Sequence, residues 1–104
     1  MAQRKSLRSR REFQRVIQLG RAARRNGITV FVGNFEQQEP RLGLVVRERK
    51  SAVRRNRVRR RLRAAAALCE LPGRDVVIRA EAGMANVEFQ ELVATLNAAV
   101  RAAA

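Results

Sequence analysis

Between Arg47 and Arg63 the chain carries ten basic side chains (Arg47, Arg49, Lys50, Arg54, Arg55, Arg57, Arg59, Arg60, Arg61 and Arg63) against one acid, Glu48. Guanidinium forks bind phosphate through parallel hydrogen bonds and stack on bases, so this density is the chemistry of polyanion recognition. Within Lys50–Leu62 (KSAVRRNRVRRRL) and just beyond it, Val58, Leu62, Ala65 and Cys69 fall on one narrow stripe at about 100° per residue. Arginines take most of the remaining circumference. Like charges so spaced repel within a helix, and no acids at i±4 offset them. The run is therefore a binding surface rather than a merely solvated face.

The inventory for bond-breaking chemistry is thin by comparison. Histidine is absent, which removes the usual proton shuttle and the commonest metal ligand. The acids stand singly, at Glu12, Glu36, Glu39, Glu48, Glu70, Asp75, Glu81, Glu88 and Glu91, with no pair spaced for general acid–base work. No Cys/His/Asp cluster suggests zinc, and Gly43 and Gly73 are isolated rather than part of a phosphate loop. Cys69, the only cysteine, cannot form an intrachain disulfide and belongs to the helix stripe as a small core residue. The sequence thus predicts no catalytic side chain, no protein-held metal and no small-molecule substrate.

The 104 residues make one domain, 1–104, with the arginine content of a nucleic-acid binder, and its first eight residues read as a basic N-terminal arm. A hydrophobic fraction of 46% supports an ordinary core, but the net charge of +14 opposes compaction and calls for a partner outside the fold. All bases but Lys5 and Lys50 are arginine. No apolar run approaches the ~18 residues of a membrane span, and the basic N-terminus is not followed by the apolar region of a signal peptide. A membrane-surface helix would show a broader apolar face than this stripe. A cytoplasmic protein with no membrane partner is expected.

The elements that position these residues follow from pattern. Ser9-x-x-Glu12 is a capping box opening a helix in which Phe13, Val16 and Ile17 share a face, with Gly20 as a left-handed stop. Arg21–Gly27 is a basic connector with room for a short edge strand. Ile28–Phe35 alternates as a strand with apolar residues on both faces, Phe31 standing exposed opposite Ile28, Val30 and Val32 as a platform for stacking unpaired bases. Arg41–Val46 would pair with it as a hairpin. The basic helix, capped by Ser51, runs into Ala64–Ala67 and stops at Leu71-Pro72-Gly73. Asp75–Ala80 is a buried strand, and Asn86 caps a last helix bearing Phe89, Leu92, Val93, Leu96 and Val100. The class is α+β: a single-domain α/β sandwich in the order α-β-β-(β)-α-β-α.

Taken in order, Ser9–Gly20 (SRREFQRVIQLG), Ile28–Val32, Arg41–Leu44 (RLGL), Ala52–Arg63 with its Arg55-Asn56-Arg57 signature, and Asp75–Arg79 (DVVIR) resemble the protein subunit of bacterial ribonuclease P. The resemblance implies a left-handed βαβ crossover around the basic helix. It implies that ribonuclease P RNA is the catalyst, that Mg2+ is held mainly by that RNA, and that precursor tRNA loses its 5′ leader to give the mature 5′ end. Arg54, Arg55, Asn56, Arg57, Arg59, Arg60 and Arg63 would face the catalytic RNA. Phe13, Ile17 and Phe31 would line a cleft for the single-stranded leader. Family members usually carry an aromatic at the position of Ile17 and Tyr at that of Phe31, and Arg61 stands at a position more often apolar. A ribosomal or other structural RNA-binding protein, using the same helix but taking no part in tRNA processing, is the alternative.

Overall fold

The computed structural model describes residues 5–104. Its elements are β1 (Lys5–Ser6), α1 (Arg10–Leu19), β2 (Arg21–Arg25), β3 (Ile28–Val32), β4 (Arg41–Val46), α2 (Ala52–Ala67), β5 (Asp75–Ala80) and α3 (Phe89–Ala103). The strands form one mixed sheet in the order β1-β4-β5-β3-β2. Successive strand residues point to opposite faces, so each face has its own helical cover. Ile28, Val30, Val32, Val76 and Ile78 pack against α2 and α3, whereas Phe31, Val45 and Val77 meet Phe13, Val16 and Ile17 of α1. The α+β sandwich expected from the sequence is present.

The expected hairpin between Ile28–Val32 and Arg41–Val46 does not form. β5 lies between these strands, antiparallel to β3 and parallel to β4. Val76, Val77 and Ile78 are fully buried, so β5 carries apolar groups to both faces and gains most from the centre of the sheet. α2 is consequently the connection between two adjacent parallel strands. The real hairpin joins β2 to β3 through Asn26-Gly27, both at positive φ (47° and 83°), the conformation of a type I′ turn. Gly27 meets that requirement at little steric cost, and the connector Arg21–Arg25 becomes a full edge strand.

Other boundaries also shift. Of the N-terminal arm, residues 1–4 lie outside the described residues, but Lys5–Ser6 pairs with Arg41–Leu42, and the Leu7 amide donates to the Leu42 carbonyl at 3.0 Å. β3 ends at Val32, so Phe35 lies beyond the strand and is 70% exposed. The Ser9–Glu12 capping box forms as expected, yet Gly20 closes α1 in an extended rather than a left-handed conformation. Asn86 does not cap α3. Met84–Asn86 is a 3-10 turn, and the Glu88 carboxylate caps the helix by accepting from the Gln90 and Glu91 amides at 3.1 Å. A carboxylate at that point also complements the helix dipole.

Candidate nucleic-acid interface

α2 begins where the Ser51 hydroxyl accepts from the Arg54 amide at 3.2 Å. Its apolar stripe is the one the sequence predicts: Val58, Leu62, Ala65 and Ala66 are buried, and Cys69 follows just past the helix end. Burying that edge fixes the rotation of the helix. Arg54, Asn56, Arg57, Arg60 and Arg63 are then exposed, while Arg55 and Arg59 are half-buried at the flank. A rigid rod with one edge anchored holds its guanidinium groups at fixed spacing without further support, which suits contact with a phosphate backbone.

Two arginines of this helix are spent on the fold. Arg55 Nη1 donates to the Glu48 carbonyl at 3.2 Å, tying the helix start to the segment before it. Arg61 Nη1 donates to the Ala85 carbonyl at 2.7 Å, and Nη2 donates to the Val87 carbonyl. These bonds clamp the 3-10 turn and the lead-in to α3, so Arg61 serves neither as a phosphate contact nor as a freely solvated side chain. Its charge satisfies two carbonyls that no regular ladder reaches.

On the opposite face, Phe13, Ile17 and Phe31 come together in one apolar cluster with Leu7, Val16, Val45 and Val77. Phe31 is not the exposed platform expected from strand alternation. It is 6% exposed, because α1 covers it and the Arg79 guanidinium lies 5.1 Å from its ring centroid. Phe13, Ile17 and Val45 are half-buried and form the accessible part of the cluster. Phe13 also lines a cavity of about 150 Å³ at the sheet edge with Ser6, Leu7, Leu42, Gly43, Leu44, Arg59 and Arg63. The two sets of residues proposed from sequence as separate sites therefore meet at Phe13, Arg59 and Arg63.

Arg41, which the sequence marks only as the start of Arg41–Leu44, ties α1 to the sheet. Its Nε and Nη2 donate to the two Asp75 oxygens at 2.8 Å, and Nη1 donates to Glu12 Oε2 at 2.7 Å. One guanidinium thus links α1 to β4 and β5. The Arg8 and Ser9 amides, with Arg41, hold the Glu12 carboxyl down to about 2. Asp75 is likewise lowered, by Arg41 first and by a 2.6 Å bond from Gln37, and Arg41 is held protonated by both carboxylates. No spacing rule marks this triad, since its members come from three distant segments. Among the described residues no three His, Cys, Asp or Glu side chains stand together as a metal site, and no helix is long and apolar enough to cross a membrane.

No curated protein matches the chain in sequence at a significant level. Solved structures do resemble it in fold. The RNase P protein of Staphylococcus aureus superposes with a TM-score of 0.77 at 20% identity, covering 99% of this chain and 96% of the other. That of Thermotoga maritima superposes with a TM-score of 0.73 at 26% identity, covering 94% and 97%. The sequence model of the Ribonuclease P family matches residues 1–104. An arginine-faced helix crossing between parallel strands, a three-helix sandwich and a family match over the whole chain lead to one assignment: the chain belongs to the ribonuclease P protein family and is a protein subunit of the bacterial holoenzyme, which processes tRNA.

Proposed function

We propose that the outer arc of α2 docks on the ribonuclease P RNA, and that the α1–sheet cleft takes the single-stranded 5′ leader of precursor tRNA. The observation that carries this reading is the division of the molecule by face. Arg54, Asn56, Arg57, Arg60 and Arg63 are exposed on one side, and the half-buried apolar pair Phe13 and Ile17 is on the other. Arg55 supports the RNA face from the helix start, and Arg59 and Arg63 join the two faces at the sheet edge. Phe31 serves as the floor beneath the leader rather than as a stacking surface.

Ribonuclease P is a metal-dependent ribonucleoprotein enzyme. The chemistry supplied by Mg2+ is activation of water and stabilisation of the displaced oxygen at the scissile phosphate, and we assign the holding of those ions to the RNA. The acids nearest the cleft, Glu12 and Asp75, already share the Arg41 cation and are poorly disposed to take a second one. The protein's part is to screen phosphate repulsion between two RNAs and to fix the leader against α1. Reconstitution with a bacterial ribonuclease P RNA at low Mg2+ tests this. Leader removal should require both components, and cleavage by the polypeptide alone would overturn it.

A further inference from the structure

The sheet face beneath α1 carries a second row of side chains beside Phe31. Strand register places Val45, Arg79, Thr29 and Arg24 in line across β4, β5, β3 and β2, on the same face as Val77 and Phe31. Beyond Val45, which packs with the α1 cluster, α1 does not follow this row. It runs from Phe13 above Gly43 to Gly20 beside Val32, toward the other end of the strands. Two polar atoms in the row are buried without a hydrogen-bond partner among the described residues: Thr29 Oγ1, in a residue only 5% exposed, and Arg79 Nε. Directly paired strand residues stand about 5 Å apart at Cα, so these two donors are neighbours.

Leaving a buried donor unsatisfied costs the full desolvation of that group, and two side by side in a small sheet point to an acceptor that arrives from outside. Both groups donate, and two arginines flank the hydroxyl, so the acceptor is anionic. Arg79 pairs in charge with the Glu81 carboxylate, whose Oε1 stands 3.8 Å from Nε, an ion-pair distance but beyond hydrogen-bond length. It leaves the donor oriented but unused. The exposed Arg24, across the strand pair from Thr29, completes the row on β2.

We propose that Thr29, Arg79 and Arg24 form a phosphate-binding site that takes one backbone phosphate of the leader, adjacent to the nucleotide lying over Phe13 and Ile17. This rests on the leader-cleft reading above and adds a register point to it. An apolar cleft alone lets a strand slide, whereas one pinned phosphate fixes which nucleotide occupies the cleft. Arg79 would also change partners, trading the Phe31 ring face and its 3.8 Å ion pair with Glu81 for phosphate oxygens.

The test uses holoenzyme reconstituted with a bacterial ribonuclease P RNA, and precursor tRNAs in which successive leader linkages are replaced by neutral methylphosphonates. One linkage should weaken binding to the unsubstituted holoenzyme by about fivefold to tenfold, the scale of a charge-assisted hydrogen bond. The same replacement should cost nothing further in Thr29→Val or Arg79→Met holoenzyme. Thr29→Val is isosteric and should melt at or above the unsubstituted protein, which separates lost binding from lost folding. Equal sensitivity at every linkage, or unchanged binding in the Thr29→Val protein whatever its stability, would overturn the site. If precursor and mature tRNA bind alike to the unsubstituted holoenzyme, the cleft reading itself fails. If they differ but no linkage couples to Thr29, only the phosphate site fails.

Discussion

The Phe13 ring lies so close over the Gly43 backbone that a β-carbon at residue 43 would stand 2.6 Å from Cε1 and 3.0 Å from Leu7 Cδ1. Gly43 is therefore the one residue of β4 that lets an aromatic side chain settle directly on the strand. It shapes both the cleft between α1 and the sheet and the cavity shared with Arg59 and Arg63.

Gly43→Ala should push the ring away from β4. The expected cost is about 1–3 kcal/mol of stability, read by urea denaturation, together with a severalfold loss of discrimination between precursor and mature tRNA. Retention of both would show that Phe13 has room to move without consequence.

Phe31→Ala and Ile17→Ala should behave differently although both residues sit in the same cluster. Phe31 is nearly enclosed, so its truncation should cost about 3 kcal/mol or more and act mainly through folding. Ile17 is half-buried and should lose less stability, with its effect falling on precursor binding. Binding assays corrected for the folded fraction would separate the two; equal per-molecule affinity in Ile17→Ala would remove that residue from the cleft.

On α2, Arg57→Ala and Arg60→Ala should leave the melting temperature unchanged. Each should weaken RNA affinity while reducing the slope of log affinity against log salt by about one. Arg61→Ala should do the reverse, lowering stability by about 1–3 kcal/mol through the two orphaned carbonyls and leaving the salt slope intact. Arg55→Ala should show part of each effect, because its guanidinium also holds the Glu48 carbonyl.

Acid should loosen α1 from the sheet. Glu12 and Asp75 have folded-state values below their ordinary ones, so each binds protons less readily when folded, and their stabilisation is complete above the carboxylate range of roughly 4. It is lost as pH falls from there through about 2, where Glu12 titrates. Arg41→Met should reduce stability at pH 7, by about 1–2 kcal/mol for the partly exposed pair with Asp75, and should flatten the dependence between pH 5 and 2. Parallel curves for Arg41→Met and the unsubstituted protein would show that other carboxylates govern acid unfolding.

The basic helix was legible in the sequence because both of its signals are local: a cap at Ser51 and a stripe at Val58, Leu62 and Ala65. The sheet order was not. β3 and β4 are neighbours in sequence, and their alternation says nothing about a third strand arriving from residue 75. The Asn26-Gly27 turn was available as a hairpin signal, but the flanking Arg21–Arg25 lacks the apolar alternation that usually accompanies it. Phe31 is buried for a related reason: alternation shows that it faces away from Val30 but not which helix crosses above it. Arg41 and Thr29 acquire meaning only through partners more than 25 residues away, Glu12 and Asp75 for the first and Arg79 for the second.

The path from β4 through α2 into β5 has a metrical consequence. The same two strands carry the crossover helix on one side and Gly43, Val45, Val77 and Arg79 on the other. Whatever lies against the helix and whatever lies in the cleft are consequently held like work in the jaws of a caliper whose gauge is one sheet and one helix. Lengthening either loop into α2 should blunt that gauge before it harms either grip.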